Sequence, residues 1–133
     1  MKLSRIEAVS LPGGQVNHDH YGYAGHTFWV MDGATPLSKG NPRAADEELC
    51  QLLKKLDQFL RSLSGDADVS LREIMSQASG AVREDLENGK DREPWEMPSC
   101  AVAAARVHER HIEYFLLGDV VIALRSGEDM VLI

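Results

Sequence analysis

The chain has 133 residues, 44% of them hydrophobic, which suits one globular domain with a single core. Its 21 acidic and 14 basic residues give a formal net charge of -7, which argues against nucleic acid and anionic membranes as partners. No apolar stretch has the length of a signal-peptide core or a membrane span, and the two cysteines lack metal-binding spacing. We therefore expect a cytoplasmic, cation-binding protein with reduced, partly buried thiols.

The first third of the chain predicts two strands separated by loops. Residues 3–11 alternate imperfectly between apolar and polar side chains and predict a first strand. Residues 26–32 predict a second strand, which is apolar and β-prone but ends on a carboxylate, Asp32. Residues 12–25 and 33–42 contain the glycines and prolines of this region and predict loops.

Two amphipathic helices are predicted next. Residues 43–64 repeat apolar side chains at intervals of three and four, and Pro42 suits the first turn of a helix there. A second helix begins at Ser70, where Glu73 completes the pattern of a capping box. The predicted buried faces are Leu49, Leu52, Leu53, Leu56, Phe59, Leu60 and Leu63 in the first helix, and Leu71, Ile74, Met75, Ala78, Ala81, Val82 and Leu86 in the second.

The last third, after an irregular polar loop at residues 88–98, predicts four strands at 99–107, 111–117, 120–125 and 130–133. Short turns between them favour an antiparallel meander. The order of strands, helices and strands predicts an α+β fold with the helices on one face of a sheet. The chain stops inside an apolar strand, so we expect residues 1–133 to be a single truncated domain that self-associates through this C-terminal strand.

Three carboxylates stand at strand ends or in turns: Asp19, Asp32 and Asp119. A carboxylate left without a partner at a strand end is costly to bury, and a divalent cation would offset that cost. Mg²⁺ and Mn²⁺ prefer such oxygen ligands, and the backbone of Gly33 allows a ligand to approach its carbonyl group. An Asp-Gly or Gly-Asp pair is more often a plain turn than a ligand, and Asp19 fits a solvated loop, so no acid taken singly predicts a metal site.

Other patterns of catalytic residues are missing from the sequence. His18, His20 and His26 lie close together, but no distant ligand completes a zinc or iron spacing, so we expect solvated or hydrogen-bonding side chains. Neither cysteine has an activating pattern, and there is no nucleophile-elbow serine or glycine-rich phosphate loop. The sequence therefore predicts no nucleophilic side chain.

Four short motifs follow one another in a recognisable order. They are Asn17-His18-Asp19, Met31-Asp32-Gly33, Pro98-Ser99-Cys100-Ala101 and Leu117-Gly118-Asp119-Val120. Their order and spacing, over nearly the whole chain, resemble the metal-dependent protein phosphatases of the PP2C type (the PPM family), especially divergent bacterial members. The resemblance implies a PP2C-like antiparallel β-sandwich flanked by a helical pair, of which this chain holds the N-terminal half.

The resemblance also implies a chemistry. Two Mn²⁺ or Mg²⁺ ions would lie in a cleft, with Asp19 and Asp32 as carboxylate ligands, Gly33 as a carbonyl ligand and Asp119 beside a weaker further ion. No side chain would be the nucleophile, because a metal-bound water attacks the phosphorus. The substrate would be a phosphorylated serine or threonine of a protein, or a small phosphomonoester, and this chain alone would be weakly active or inactive.

The sequence departs from the family pattern in several places. Residues 12–16 lack the arginine that commonly holds the substrate phosphate, His18 replaces a glutamate, and Val120 replaces a serine. The family's late metal ligands are not among these 133 residues. One alternative is therefore a non-catalytic PP2C-like regulatory or binding module. Another is an unrelated α+β binding domain, in which the acids occupy plain turns, do not cluster and do not bind divalent metal.

Overall fold

The computed structural model describes residues 3–34, 41–88 and 91–133. Its elements are β1 (Asp19–Ala24), β2 (Thr27–Ala34), α1 (Pro42–Leu63), α2 (Leu71–Glu87), a single 3-10 turn (Pro94–Glu96), β3 (Ser99–Val107), β4 (Ile112–Leu117), β5 (Ala123–Ser126) and β6 (Asp129–Leu132). The predicted α+β class is confirmed, and so is the order of two strands, two helices and further strands.

Strands β1 to β4 form one antiparallel sheet in the order β1-β2-β3-β4, and β5 pairs with β6 in a separate two-stranded sheet. The helices cover one face of the larger sheet, where Trp29, Met31 and Val102 pack against the apolar faces of α1 and α2 in one core. The other face carries the alternate residues of each strand, including Tyr21, Val30 and Asp32. The candidate site lies on this second face.

The helices form where the spacing of leucines predicts them. Asn41 caps α1 by accepting a hydrogen bond from the Arg43 N–H, and Pro42 occupies the first turn. Ser70 caps α2 through the Glu73 N–H, which confirms one half of the predicted capping box. The predicted faces are buried or partly buried, with Phe59, Leu63 and Leu86 at the rim of the core.

Buried polar contacts join α2 to the end of the sheet opposite the acids. The guanidinium of Arg106 on β3 is buried and donates to the Thr27 hydroxyl at 3.2 Å and to the Val69 carbonyl at 2.7 Å. Glu113 on β4 accepts a hydrogen bond from the Leu71 N–H at the start of α2. These contacts anchor α2 to β3 and β4.

The prediction of a strand at residues 3–11 is wrong. This segment forms no strand, and Val9 and Leu11 are 85% and 76% exposed. The reason is that β1 does not pair with it, so no ladder of backbone hydrogen bonds holds the segment in a sheet. Imperfect alternation was therefore insufficient to predict a strand here.

The first strand is instead β1, which lies inside the predicted loop at residues 12–25. Gly22 belongs to the glycines that predict a loop, but it lies in the middle of β1, where an added Cβ would be 2.6 Å from the indole of Trp29. Gly25, with φ of +57°, makes the tight turn between β1 and β2. The glycines thus allow a close-packed hairpin rather than a loop.

The predicted loop at 33–42 is also shorter than expected, because β2 continues to Ala34. Residues 35–40 of that loop, and residues 89–90 of the predicted loop at 88–98, lie outside the described residues. Strand 99–107 is confirmed at its predicted bounds, and 111–117 to within one residue.

The predicted meander is wrong between the fourth and fifth strands. β4 does not pair with β5, and β5 begins at Ala123 rather than at residue 120. Gly118 has φ of +88° and lies so close to Ala101 that an added Cβ would be 2.7 Å from the alanine Cβ. The chain therefore leaves the sheet at this glycine instead of turning back along β4.

Both cysteines are free, but Cys50 is exposed and only Cys100 is partly buried, so the prediction of two partly buried thiols is wrong for Cys50. Cys50 follows the buried Leu49 on α1 and lies on the solvent side of that helix. Within the described residues, no helix combines the length and apolar character needed to cross a membrane.

Candidate metal centre

The β1–β2 hairpin brings two of the predicted acids together. Asp19 begins β1 and Asp32 lies near the end of β2, and the register makes them direct cross-strand partners. Side chains of directly paired residues project from the same face, with Cβ atoms about 5 Å apart. The tight turn at Gly25 sets this register, so the two carboxylates are neighbours through the geometry of the hairpin.

Asp119 approaches Asp32 from the β3–β4 side of β2, whereas Asp19 lies on its β1 side. Asp32 pairs with Ala101 on β3, and Gly118 passes against Ala101 as the chain leaves β4. Asp119 is the next residue, and its charge acts on Asp32. The three acids predicted from separate motifs therefore converge on one end of the sheet.

The convergence is electrostatically unfavourable without a cation. Partial burial, the charges of Asp19 and Asp119 and a hydrogen bond with Asp19 raise the pKa of the Asp32 carboxyl above its ordinary value. No lysine or arginine among the described residues forms an ion pair with any of the three. In the part of the chain described, no three histidine, cysteine or acidic side chains are grouped so as to hold a metal. The carboxylates of Asp19 and Asp32 and the carbonyl group of Gly33 are nevertheless the kind of oxygen donor that a hydrated Mg²⁺ or Mn²⁺ ion prefers.

Gly33 fixes the approach of the loop before β1 to the end of β2. Its N–H donates to the His18 carbonyl oxygen at 2.9 Å. An added Cβ would lie 2.6 Å from the same oxygen and 3.0 Å from both terminal methyl carbons of Leu49. Glycine is thus required by close packing of backbone and side chain beside the acids, and not by a positive φ angle.

Two clefts meet at the acid pair. One, of about 620 Å³, is lined by the glycine-rich loop at residues 13–19 together with Asp32, Gly33 and Asp46. The other, of about 450 Å³, lies between residues 7–11 and the open face of the sheet. Asp19 and Asp32 line both clefts, so a ligand can reach the pair from either side.

The histidines on either side of Asp19 contact acids of α1. His18 Nε2 lies 2.9 Å from Asp46 Oδ1, and His20 Nε2 lies 3.1 Å from Asp57 Oδ1. These contacts draw both sides of Asp19 toward the helix. Sequence reasoning expected solvated or hydrogen-bonding histidines and missed Asp46 altogether, because its partner and its cleft come from a distant segment.

Asp57 is a second missed residue, and its surroundings differ from those of Asp32. It is buried on α1, where it accepts hydrogen bonds from Trp29 Nε1 at 3.0 Å and Arg61 Nε at 2.7 Å. Burial alone would raise the pKa of Asp57, but the contacts with Arg61, His20 and Trp29 together lower it below its ordinary value. A signal was available, because Asp57 falls within the apolar stripe of α1.

No protein-family model matches the chain, and no curated protein matches it either. Its fold is similar to the crystal structure of the PPM Ser-Thr phosphatase MsPP from Mycobacterium smegmatis in complex with cacodylate, with a TM-score of 0.58 and 17% sequence identity. The alignment covers 94% of this chain and 49% of that chain, so the chain spans about half the length of that phosphatase. The predicted PP2C-like fold is thereby confirmed over the part that the chain covers.

The proximity of Asp19 and Asp32 also bears on the alternatives. An unrelated domain with its acids in plain turns predicted that these two residues would lie apart, and the register of the hairpin contradicts that prediction.

Proposed function

We propose that this chain is part of a phosphatase domain that hydrolyses phosphomonoesters with the help of divalent metal. The observation that carries the proposal is the direct pairing of Asp19 with Asp32, beside Asp119, without a basic partner among the described residues. An arrangement of like charges that raises a carboxyl pKa is typical of a site that binds a cation or moves a proton.

The acids and one glycine would hold the metal. Asp19 and Asp32 are the proposed carboxylate ligands, the carbonyl of Gly33 is a further ligand, and Asp119 serves a weaker ion. Mn²⁺ and Mg²⁺ are the proposed ions, two in a complete site, because every donor is a hard oxygen. A divalent cation bound there lowers the pKa of water and neutralises charge on a phosphoryl group.

The surrounding side chains favour water over a protein nucleophile. Cys100 pairs with Gly33 across β2 and β3 and is the nearest thiol to the acids by register. Burial, with a smaller contribution from the charge of Asp32, raises the pKa of Cys100 to about 11. This thiol is protonated at neutral pH and is a poor nucleophile.

The proposed substrate is a phosphorylated serine or threonine in a protein. Two facts support this choice: the similar structure is described as a Ser-Thr phosphatase, and the acid pair lies where two open clefts meet. A phosphorylated side chain could reach the acids from such an open site while the peptide remains outside. A small phosphomonoester would use the same acids.

Calorimetric titration with Mn²⁺ tests the metal site. We expect the wild-type chain to bind Mn²⁺ and Asp32→Asn to lose at least about tenfold in affinity, equivalent to about 1.4 kcal/mol. Asp129→Asn is the matched control, since it removes one exposed carboxylate from β6, which belongs to the separate two-stranded sheet. Absence of binding at millimolar Mn²⁺, or equal loss in the two variants, would contradict the proposed ligands.

Hydrolysis of a phosphopeptide and of an aryl phosphate in Mn²⁺ then separates enzyme from non-catalytic module. Turnover that Asp32→Asn abolishes and Asp129→Asn preserves supports the hydrolase. Metal binding without turnover of either substrate supports the regulatory or binding module for this chain.

A further inference from the structure

Asn17 begins the first of the four sequence motifs, and the proposed set of metal ligands gives it no role. Its side chain is exposed and belongs to neither a strand nor a helix, so it contributes little to the core. Both ends of its amide are nevertheless hydrogen-bonded. Oδ1 accepts from the Asp19 N–H at 3.0 Å, and Nδ2 donates to Ser10 Oγ at 2.8 Å. Two bonds on one exposed side chain restrict its rotamers at a cost in entropy, so they indicate a role in holding their partners in place.

The backbone hydrogen bonds of the β1–β2 hairpin show why Asp19 needs this acceptor. Along an antiparallel hairpin, hydrogen-bonded pairs of residues alternate with non-bonded pairs. Gly33 donates to the His18 carbonyl oxygen at 2.9 Å, so His18 faces Gly33 at a bonded position and Asp19 faces Asp32 at a non-bonded one. The Asp19 N–H therefore points away from β2, and the Asn17 side chain supplies its acceptor.

The same alternation brings the two carboxylates close together. Facing residues of a non-bonded pair have Cα atoms about 4.5 Å apart, nearer than those of a bonded pair, and their side chains are nearer too. Asp19 is also the first residue of β1, and the ends of such elements open most easily. Repulsion from Asp32 favours that opening. The hydrogen bond from the Asp19 N–H to Asn17 opposes it, because the bond holds the backbone that carries the Asp19 carboxylate.

The other end of the Asn17 side chain is bonded to the wall of a cleft. Ser10 lines the cleft of about 450 Å³, Asn17 lines the cleft of about 620 Å³, and Asp19 lines both. The segment at residues 7–11 therefore holds Asn17 from one side, and Asn17 holds Asp19 from the other. One amide joins the walls of both clefts at the acid pair.

We propose that Asn17 is a positioning residue of the metal centre, which keeps the Asp19 carboxylate opposite Asp32 so that one cation can bind both. This inference rests on the proposed function, because it takes the two acids as metal ligands. Asn17 touches neither metal nor substrate in this role. It fixes the two like charges in place before the cation arrives, so less ordering is left to binding. Loss of a group that orients a metal ligand typically weakens metal binding roughly 10- to 100-fold.

Calorimetric titration of the chain with Mn²⁺ tests this role. We expect Asn17→Ala to bind Mn²⁺ about tenfold more weakly than wild type, with an unchanged midpoint of urea denaturation in metal-free buffer. Asn17→Ser keeps a hydroxyl that can accept from the N–H two residues further on, so it should recover part of the lost affinity. Gln15→Ala is the matched control, because Gln15 is another exposed amide of the same loop and lines the same cleft. It should bind Mn²⁺ like the wild type.

Amide hydrogen exchange in metal-free buffer measures the same hydrogen bond without any metal. The Asp19 N–H should exchange faster in Asn17→Ala, because it loses its acceptor, and at the wild-type rate in Gln15→Ala. Absence of Mn²⁺ binding by the wild-type chain would overturn the proposed function and this inference together. The inference alone would be overturned if the wild type binds Mn²⁺ but Asn17→Ala leaves the affinity or the Asp19 exchange rate unchanged. An equal loss of affinity in Gln15→Ala, or no recovery in Asn17→Ser, would overturn it as well.

Discussion

Two carboxylates, Asp57 on α1 and Asp32 on β2, have opposite electrostatic surroundings. Asp57, on α1 behind the sheet, has an indole N–H, a guanidinium and an imidazole within 3.1 Å of its oxygens, and its pKa is lowered. Asp32 lies on the open face, where desolvation and then the charges of Asp19 and Asp119 raise its pKa. Cationic side chains lie beside Asp57, whereas no lysine or arginine of the described residues forms an ion pair with Asp32. Asp57 is therefore a structural acid, and Asp32 is the candidate ligand for a cation.

Replacement of Asp57 should have the largest effect. Asp57→Asn leaves Arg61 and His20 without their carboxylate partner and should destabilise the fold by about 2 to 3 kcal/mol. Urea denaturation measures the loss. Glu47→Gln is the control on the same helix, since Glu47 forms an exposed ion pair with Arg43 and its removal should cost less than about 0.5 kcal/mol. Equal losses in the two variants would show that Asp57 is not structurally special.

The pH dependence of stability should reflect the same acid. The folded-state pKa of Asp57 lies below its ordinary value of 3.8, so the folded state holds its proton less tightly than the unfolded state. Its contribution is complete above pH 3.8 and is lost as pH falls through the folded pKa. The stability difference between wild type and Asp57→Asn should thus be constant near neutral pH and shrink in acid. A gap that widens on acidification would contradict this assignment.

The predictable parts of the fold are those whose cause is local. The apolar stripe of α1 and the Ser70 cap need only neighbouring residues, and the structure confirms both. The sequence does not predict β1, because a glycine such as Gly22 usually disfavours a strand. In this fold a glycine is needed there, because Trp29 packs against its backbone and leaves no room for a side chain. That contact depends on the fold, so residue spacing alone does not contain it.

The residues of the candidate site likewise fall into those that the sequence predicts and those that it does not. The position of Asp19 and Asp32 in an ordered set of motifs was enough to predict that they lie together, although their binding of metal stays a prediction. Asp57 was not found, because its partner Trp29 is 28 residues away and on another element. A charged residue on an otherwise apolar helix stripe is a usable local signal for such a buried acid.

The smallest expected change in stability is at the pair of Asp19 and Asp32, where replacement of an acid should stabilise the fold rather than destabilise it. Asp32→Asn removes a carboxylate that is directly opposite Asp19, and like charges in that position destabilise an antiparallel pair by a few tenths of a kcal/mol. In metal-free buffer the variant should therefore be slightly more stable than wild type by urea denaturation. The pKa of Asp32 is raised in the folded state, so ionisation of this carboxyl lowers the free energy of unfolding as pH rises above 3.8. Below pH 3.8 the carboxyl is protonated in both states and this loss of stability is absent. The extra stability of Asp32→Asn over wild type should be largest at low salt and should decrease as added salt screens the exposed charges. A variant less stable than wild type at neutral pH and low salt would mean that Asp32, like Asp57, already has its countercharge within the fold.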